Sequence, residues 1–120
     1  MATYSKVVLS GSTQGKAIKV VQTASTGTTI HATGTSSSII DEVWLYAYNS
    51  DTAARLLTIQ FGGTDTPDND IKVTIPPQSG LTLVVPGLIL TGTGAGANTV
   101  RAYAATANVI MISGYVNRIS

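Results

Sequence analysis

Cysteine is absent from the 120 residues, which removes disulfide frameworks, thiol nucleophiles, thiolate zinc sites and iron–sulfur clusters together. Charge is scarce as well, at 11% of residues against roughly 25% in an average globular chain. Seven Lys and Arg face six Asp and Glu, leaving a net charge of +1. So few cations neutralise few phosphates, and no nucleic-acid partner is expected. Long apolar runs are also missing. The longest apolar region, residues 81–90, is interrupted by Pro86 and Gly87 and falls short of the roughly 20 residues a spanning helix needs, so no membrane is expected. The N-terminus, Met1-Ala2-Thr3-Tyr4-Ser5-Lys6, leads straight into an alternating segment, and no secretory leader is expected. Helical patterning is limited to two short Ala-rich pieces, 51–57 and 102–107, the second interrupted by β-branched Thr106.

What is present is 43% hydrophobic residues, enough for one core and too many for a disordered chain. Short runs of Val, Ile, Leu, Tyr and Thr recur about every ten residues, separated by Gly, Ser, Asn, Asp and Pro. Strands are predicted near 4–9, 16–22, 28–32, 41–48, 55–61, 70–75, 80–85, 99–104 and 108–117, with 88–90 a further strand or a continuation. In 70–75, Ile71, Val73 and Ile75 alternate with polar residues; in 55–61, Leu57, Ile59 and Phe61 share one face while Leu56, Thr58 and Gln60 share the other. These two segments predict a hairpin across 62–69. By contrast, 81–85 and 108–116 are apolar on both faces, which suits strands central in a sandwich or covered by another subunit. The expectation is an all-β fold: one antiparallel β-sandwich with jelly-roll or Greek-key wiring, residues 1–15 forming an N-terminal arm and edge strand and 16–120 the sandwich domain.

Chemistry-bearing residues are sparse. The one histidine, His31, sits in a predicted strand with no Gly-x-Ser-x-Gly elbow and no acid partner nearby in sequence, and reads as structural or interfacial rather than catalytic. Asp41 and Glu42 adjoin, but neighbours on a strand point to opposite faces and do not share a substrate; they read as the start of a solvated strand. The acidic loop holding Asp65, Asp68 and Asp70 is a weak candidate for calcium, lacking the EF-hand spacing and a bidentate Glu. Gly92-Thr93-Gly94-Ala95-Gly96 leads into a strand rather than a helix, so it reads as a turn and not a phosphate loop. No catalytic residue, cofactor or enzyme activity is expected.

The aromatic residues say more. Trp44, Tyr46 and Tyr48 alternate with Val43, Leu45 and Ala47, placing three rings on one face of one strand. Such a row covers a core edge or a subunit interface, or stacks on sugar rings in a glycan-binding module. Tyr103 and Tyr115 join it as candidate interface residues, and Tyr4 and Val7 as contacts of the N-terminal arm.

Several segments taken in order carry a resemblance: Asp41-Glu42-Val43-Trp44-Leu45-Tyr46-Ala47, Leu57-Thr58-Ile59-Gln60-Phe61-Gly62-Gly63-Thr64, Ile75-Pro76-Pro77-Gln78-Ser79-Gly80-Leu81, Val85-Pro86-Gly87-Leu88-Ile89-Leu90 and Gly114-Tyr115-Val116-Asn117-Arg118-Ile119. From Lys16 onward the chain resembles small β-rich virion proteins of tailed bacteriophages, most of all the decoration or cement proteins that coat the capsid. The resemblance implies a homo-oligomer, a trimer being favoured, bound to the major capsid protein on the virion surface after synthesis in the host cytoplasm. It brings no family active residues. A tail-fibre or adhesin-type glycan-binding module and a tail or neck component are the alternatives.

Overall fold

The computed structural model describes residues 2–120. Nine strands follow one another: β1 (Tyr4–Val8), β2 (Ile18–Lys19), β3 (Thr28–Ala32), β4 (Ile40–Asn49), β5 (Arg55–Phe61), β6 (Asp70–Ile75), β7 (Thr82–Thr91), β8 (Thr99–Ala104) and β9 (Ile110–Ile119). They build two antiparallel sheets, one in the order β1-β9-β4-β7 with β2 also on β9, the other in the order β3-β8-β5-β6. Apart from the β1–β2 connection and the β5–β6 hairpin, each successive strand switches sheet. That wiring is a jelly roll, so the expected all-β sandwich is what the chain forms.

Alternation explains the layers. In β4, Asp41, Val43, Leu45, Ala47 and Asn49 are buried while Ile40, Glu42, Trp44, Tyr46 and Tyr48 face away from the core. In β9, Ile110, Ile112 and Val116 point inward beside them. From the other sheet Leu57, Ile59, Ile75, Val100 and Ala102 close the core, each fully buried. Such aliphatic burial contributes about 1.5–3 kcal/mol per large side chain and is the main source of stability. The hairpin predicted across 62–69 is present, with Leu57 opposite Val73 and Ile59 opposite Ile71.

Two expectations need correction, and one left open is decided. The strand predicted over 16–22 shrinks to Ile18–Lys19: beyond it the Val20 amide donates to Ile110 and its carbonyl accepts from Asn108, while the Gln22 carbonyl turns to the other sheet and accepts from Ala104. Of the two alternatives for 88–90 the chain takes the continuation: the strand starts later than expected, at Thr82, and runs through 88–90 as β7, absorbing Pro86 through register shifts against β4 between Val43 and Trp44 and between Leu45 and Tyr46. In β5 the second face, which a half-buried strand leaves to solvent, is exposed only at Leu56: Thr58 and Gln60 are buried. Residues 25–27 fold over Gln60, whose carbonyl oxygen accepts from the Gly27 amide at 2.9 Å and whose amide donates to Ser25 Oγ at 2.9 Å.

Candidate functional site

His31 and Asp41 are both buried, and they meet. The His31 Nε2–H donates to Asp41 Oδ2 at 2.8 Å, while Nδ1 accepts the backbone amide of Ser10 at 3.0 Å. A backbone amide can only donate, so Nδ1 carries the lone pair and the ring proton sits on Nε2. Arg118 closes the network with a two-pronged bond, Nε to Asp41 Oδ1 at 2.8 Å and Nη2 to Oδ2 at 2.9 Å. Burial pushes the Asp41 carboxyl up, but the hydrogen bonds from Arg118 and His31 and the adjacent guanidinium outweigh it, and the net direction is down. The hydrogen bond to Asp41 raises Arg118 in turn, against the opposing effect of burial. The expectation of a solvated Asp41 without a partner near His31 is therefore overturned. The cluster clamps β3 of one sheet to β4 and β9 of the other. Ser10 reaches the imidazole through its main chain, and its Oγ instead accepts from the Ala32 amide at 2.7 Å.

The acidic loop forms a turn. Asn69 Oδ1 accepts from the Asp65 amide, the Asn69 amide donates to the Asp65 carbonyl, and the Asp70 amide donates to Pro67. Among the described residues, no three His, Asp or Glu side chains converge as a metal-binding group, and Asp65, Asp68 and Asp70 are not brought together as one. Both carboxylate oxygens of Asp70 are shielded from solvent, without a hydrogen-bond partner among the described residues.

The aromatic residues do assemble. On the outer face of the β1-β9-β4-β7 sheet, Trp44 lies opposite Tyr115, Tyr46 opposite Ser113 and Tyr48 opposite Met111. The Trp44 and Tyr115 rings stack, with centroids 6.3 Å apart and planes 14° from parallel. Trp44 Nε1 donates to Glu42 Oε1 at 2.6 Å and Asn117 Nδ2 to the same oxygen at 3.1 Å, and these bonds lower the Glu42 carboxyl. The Lys6 ammonium sits 5.0 Å above the Tyr115 ring centre. Glycine makes this packing possible at two places: a Cβ on Gly87 would lie 2.7 Å from Trp44 Cζ2, and one on Gly114 would run into the Trp44 carbonyl. Gly87 also adopts φ +77°, which favours glycine independently of the space.

This face extends to both edges of the sheet. Tyr4 and Val8 on β1 are 72% and 50% exposed, and Leu83 and Ile89 on β7 are 44% and 61% exposed. Tyr4 and Val8 pair with outward Ile119 and Tyr115, and Leu83 and Ile89 with outward Tyr46 and Glu42, so all four point the same way. Leu83, Ile89 and Val8 were not singled out from sequence; the apolar residues on both faces of 81–85 were the signal for Leu83, and none pointed to the other two. Val7 instead faces inward and packs against the core. Tyr103 lies on β8 of the opposite sheet, next to Thr58, and does not join the other aromatics.

No protein-family model matches the chain, and neither the curated proteins nor the solved structures provide a match.

Proposed function

We propose that this chain is a structural assembly protein, of the shell-decorating kind that its resemblance to phage virion proteins implies. One observation carries the reading: β7 is an edge strand, yet it is apolar on both faces, and its outer residues continue an uncovered aromatic sheet face. A lone soluble domain gains nothing from leaving such a face in water, whereas an assembly buries it. Sparse charge fits the same use, because interface centres are depleted in charged residues. The N-terminal strand β1 pairs only with β9, so its other edge is free to accept a strand or loop of a capsid subunit.

A glycan-binding module needs a ring presented to the sugar. Trp44 instead has Tyr115 stacked on it, Gly87 packed against it and its indole N–H already bonded to Glu42, an arrangement that favours packing. The test is co-sedimentation with expanded phage heads that lack surface proteins, prepared from the genome that encodes this chain. Saturable binding and greater heat resistance of the heads are expected. A chain that stays in the supernatant, or that is retained on a glycan array instead, overturns the reading.

A further inference from the structure

We infer that the outer face of the β1-β9-β4-β7 sheet packs face to face on the same face of a second copy of this chain. The inference deepens the assembly reading and rests on it, naming the occupant of that face.

How the sheet edges are protected indicates the mode of contact. The other edge strands are short or charged: β1 has five residues and carries Lys6, β2 has two, β3 has five with a register shift between Thr29 and His31, and β6 carries Lys72. By contrast β7 is ten residues long and has no charged residue at all. Pro86 and two register shifts interrupt its ladder, which discourages an added strand in mid-run. Its backbone is guarded while its side chains remain apolar. A partner therefore gains by covering side chains, as in sheet-on-sheet packing, and not by extending the sheet.

Area and charge select a second copy as that partner. Tyr4, Val8, Leu83 and Ile89, with the half-buried aromatics between them, expose on the order of 800 Å² of largely apolar surface, about what each partner contributes to a standard stable interface. The face carries Lys6 and Glu42, with Lys19 on the two-residue β2 at one corner, opposite outward Met111. Lys6 and Glu42 are already engaged within the protomer, by Tyr115 and by Trp44 with Asn117. The remaining charge, Lys19, is exposed at the margin and suits the polar rim of an interface, so the centre of a copied face meets no unpaired like charge. The same patch on both sides gives an isologous pair with two-fold symmetry.

The test is solution mass by light scattering across a wide dilution series, for the full chain and for Ile89→Glu, Leu83→Glu and Leu56→Glu. Leu56 is exposed on the opposite sheet and controls for an added charge. Twice the 12.4 kDa chain mass is expected for the parent protein and for Leu56→Glu, falling to one chain at high dilution. Ile89→Glu and Leu83→Glu should remain single chains at every concentration, with unfolding curves confirming that they are folded. If either fails to fold, the milder Ile89→Ser and Leu83→Ser should raise the dissociation constant at least tenfold. A parent protein of one or three chains, or a pair unaffected by these changes, overturns the inference. A three-chain ring or a monomer that still binds heads overturns the face pairing alone, whereas a two-chain protein that ignores heads overturns the shell reading alone.

Discussion

Replacing Asp41 by Ala removes the acceptor for three hydrogen bonds at once, from His31 Nε2 and from Arg118 Nε and Nη2. The imidazole is fully buried, so its stranded N–H finds no water and costs about 1–3 kcal/mol. Arg118 contributes less, because its side chain is one-third exposed and its guanidinium can rehydrate. Allowing for the space left behind, Asp41→Ala should lose about 2–4 kcal/mol, or roughly 10 °C in Tm for a domain of this size. Denaturant and thermal unfolding followed by circular dichroism measure it. Combining the change with Arg118→Ala should cost clearly less than the two single changes added together, because they share one network. Asp41→Asn supplies the pH test. The folded carboxyl lies below its unfolded value, so its contribution is complete above about pH 4 and is lost as pH falls through the lower folded value. The stability gap between the parent protein and Asp41→Asn should therefore narrow with acidification. An Asp41→Ala protein within about 0.5 kcal/mol of the parent, or a gap that stays constant down to low pH, would refute the clamp.

Three further expectations follow from single positions or from composition. Gly87→Ala forces a Cβ against Trp44 at a positive φ and should cost about 1–3 kcal/mol while shifting Trp44 emission, read by fluorescence-detected unfolding. Gln60→Ala should release residues 25–27, speeding exchange of the Gly27 amide in hydrogen-exchange measurements and costing about 1–2 kcal/mol. Because the assembling face carries so little charge, the oligomer mass should hardly change between low and physiological salt; dissociation driven by salt alone would contradict an apolar contact.

Much of the fold was legible because period-two alternation is a local signal. Ile71, Val73 and Ile75 marked a core-facing strand, and Leu57, Ile59 and Phe61 marked its partner. Other features depend on contacts between distant parts of the chain. Arg118 stands 77 positions from Asp41, and only the jelly-roll wiring brings the two together with His31 from the other sheet. Gln60 alternates like a solvated residue and is buried because residues 25–27, a stretch with no apolar pattern, fold over it. The aromatic row was visible from Trp44, Tyr46 and Tyr48, but its extent was not. Strand order decided that Tyr115 joins the row, that Tyr103 lies on the opposite sheet, and that Leu83 and Ile89 extend the face to an edge.

Trp44 is the only tryptophan in the chain and stands on the face assigned to assembly, so its accessibility reports on that face directly. Acrylamide quenching of its fluorescence, measured across a dilution series and again with the protein bound to heads, tests the account with one signal. The account predicts strong protection in the assembled protein and a rise in quenching as the chains separate. Quenching that stays the same at every concentration and on the heads would contradict burial of this face.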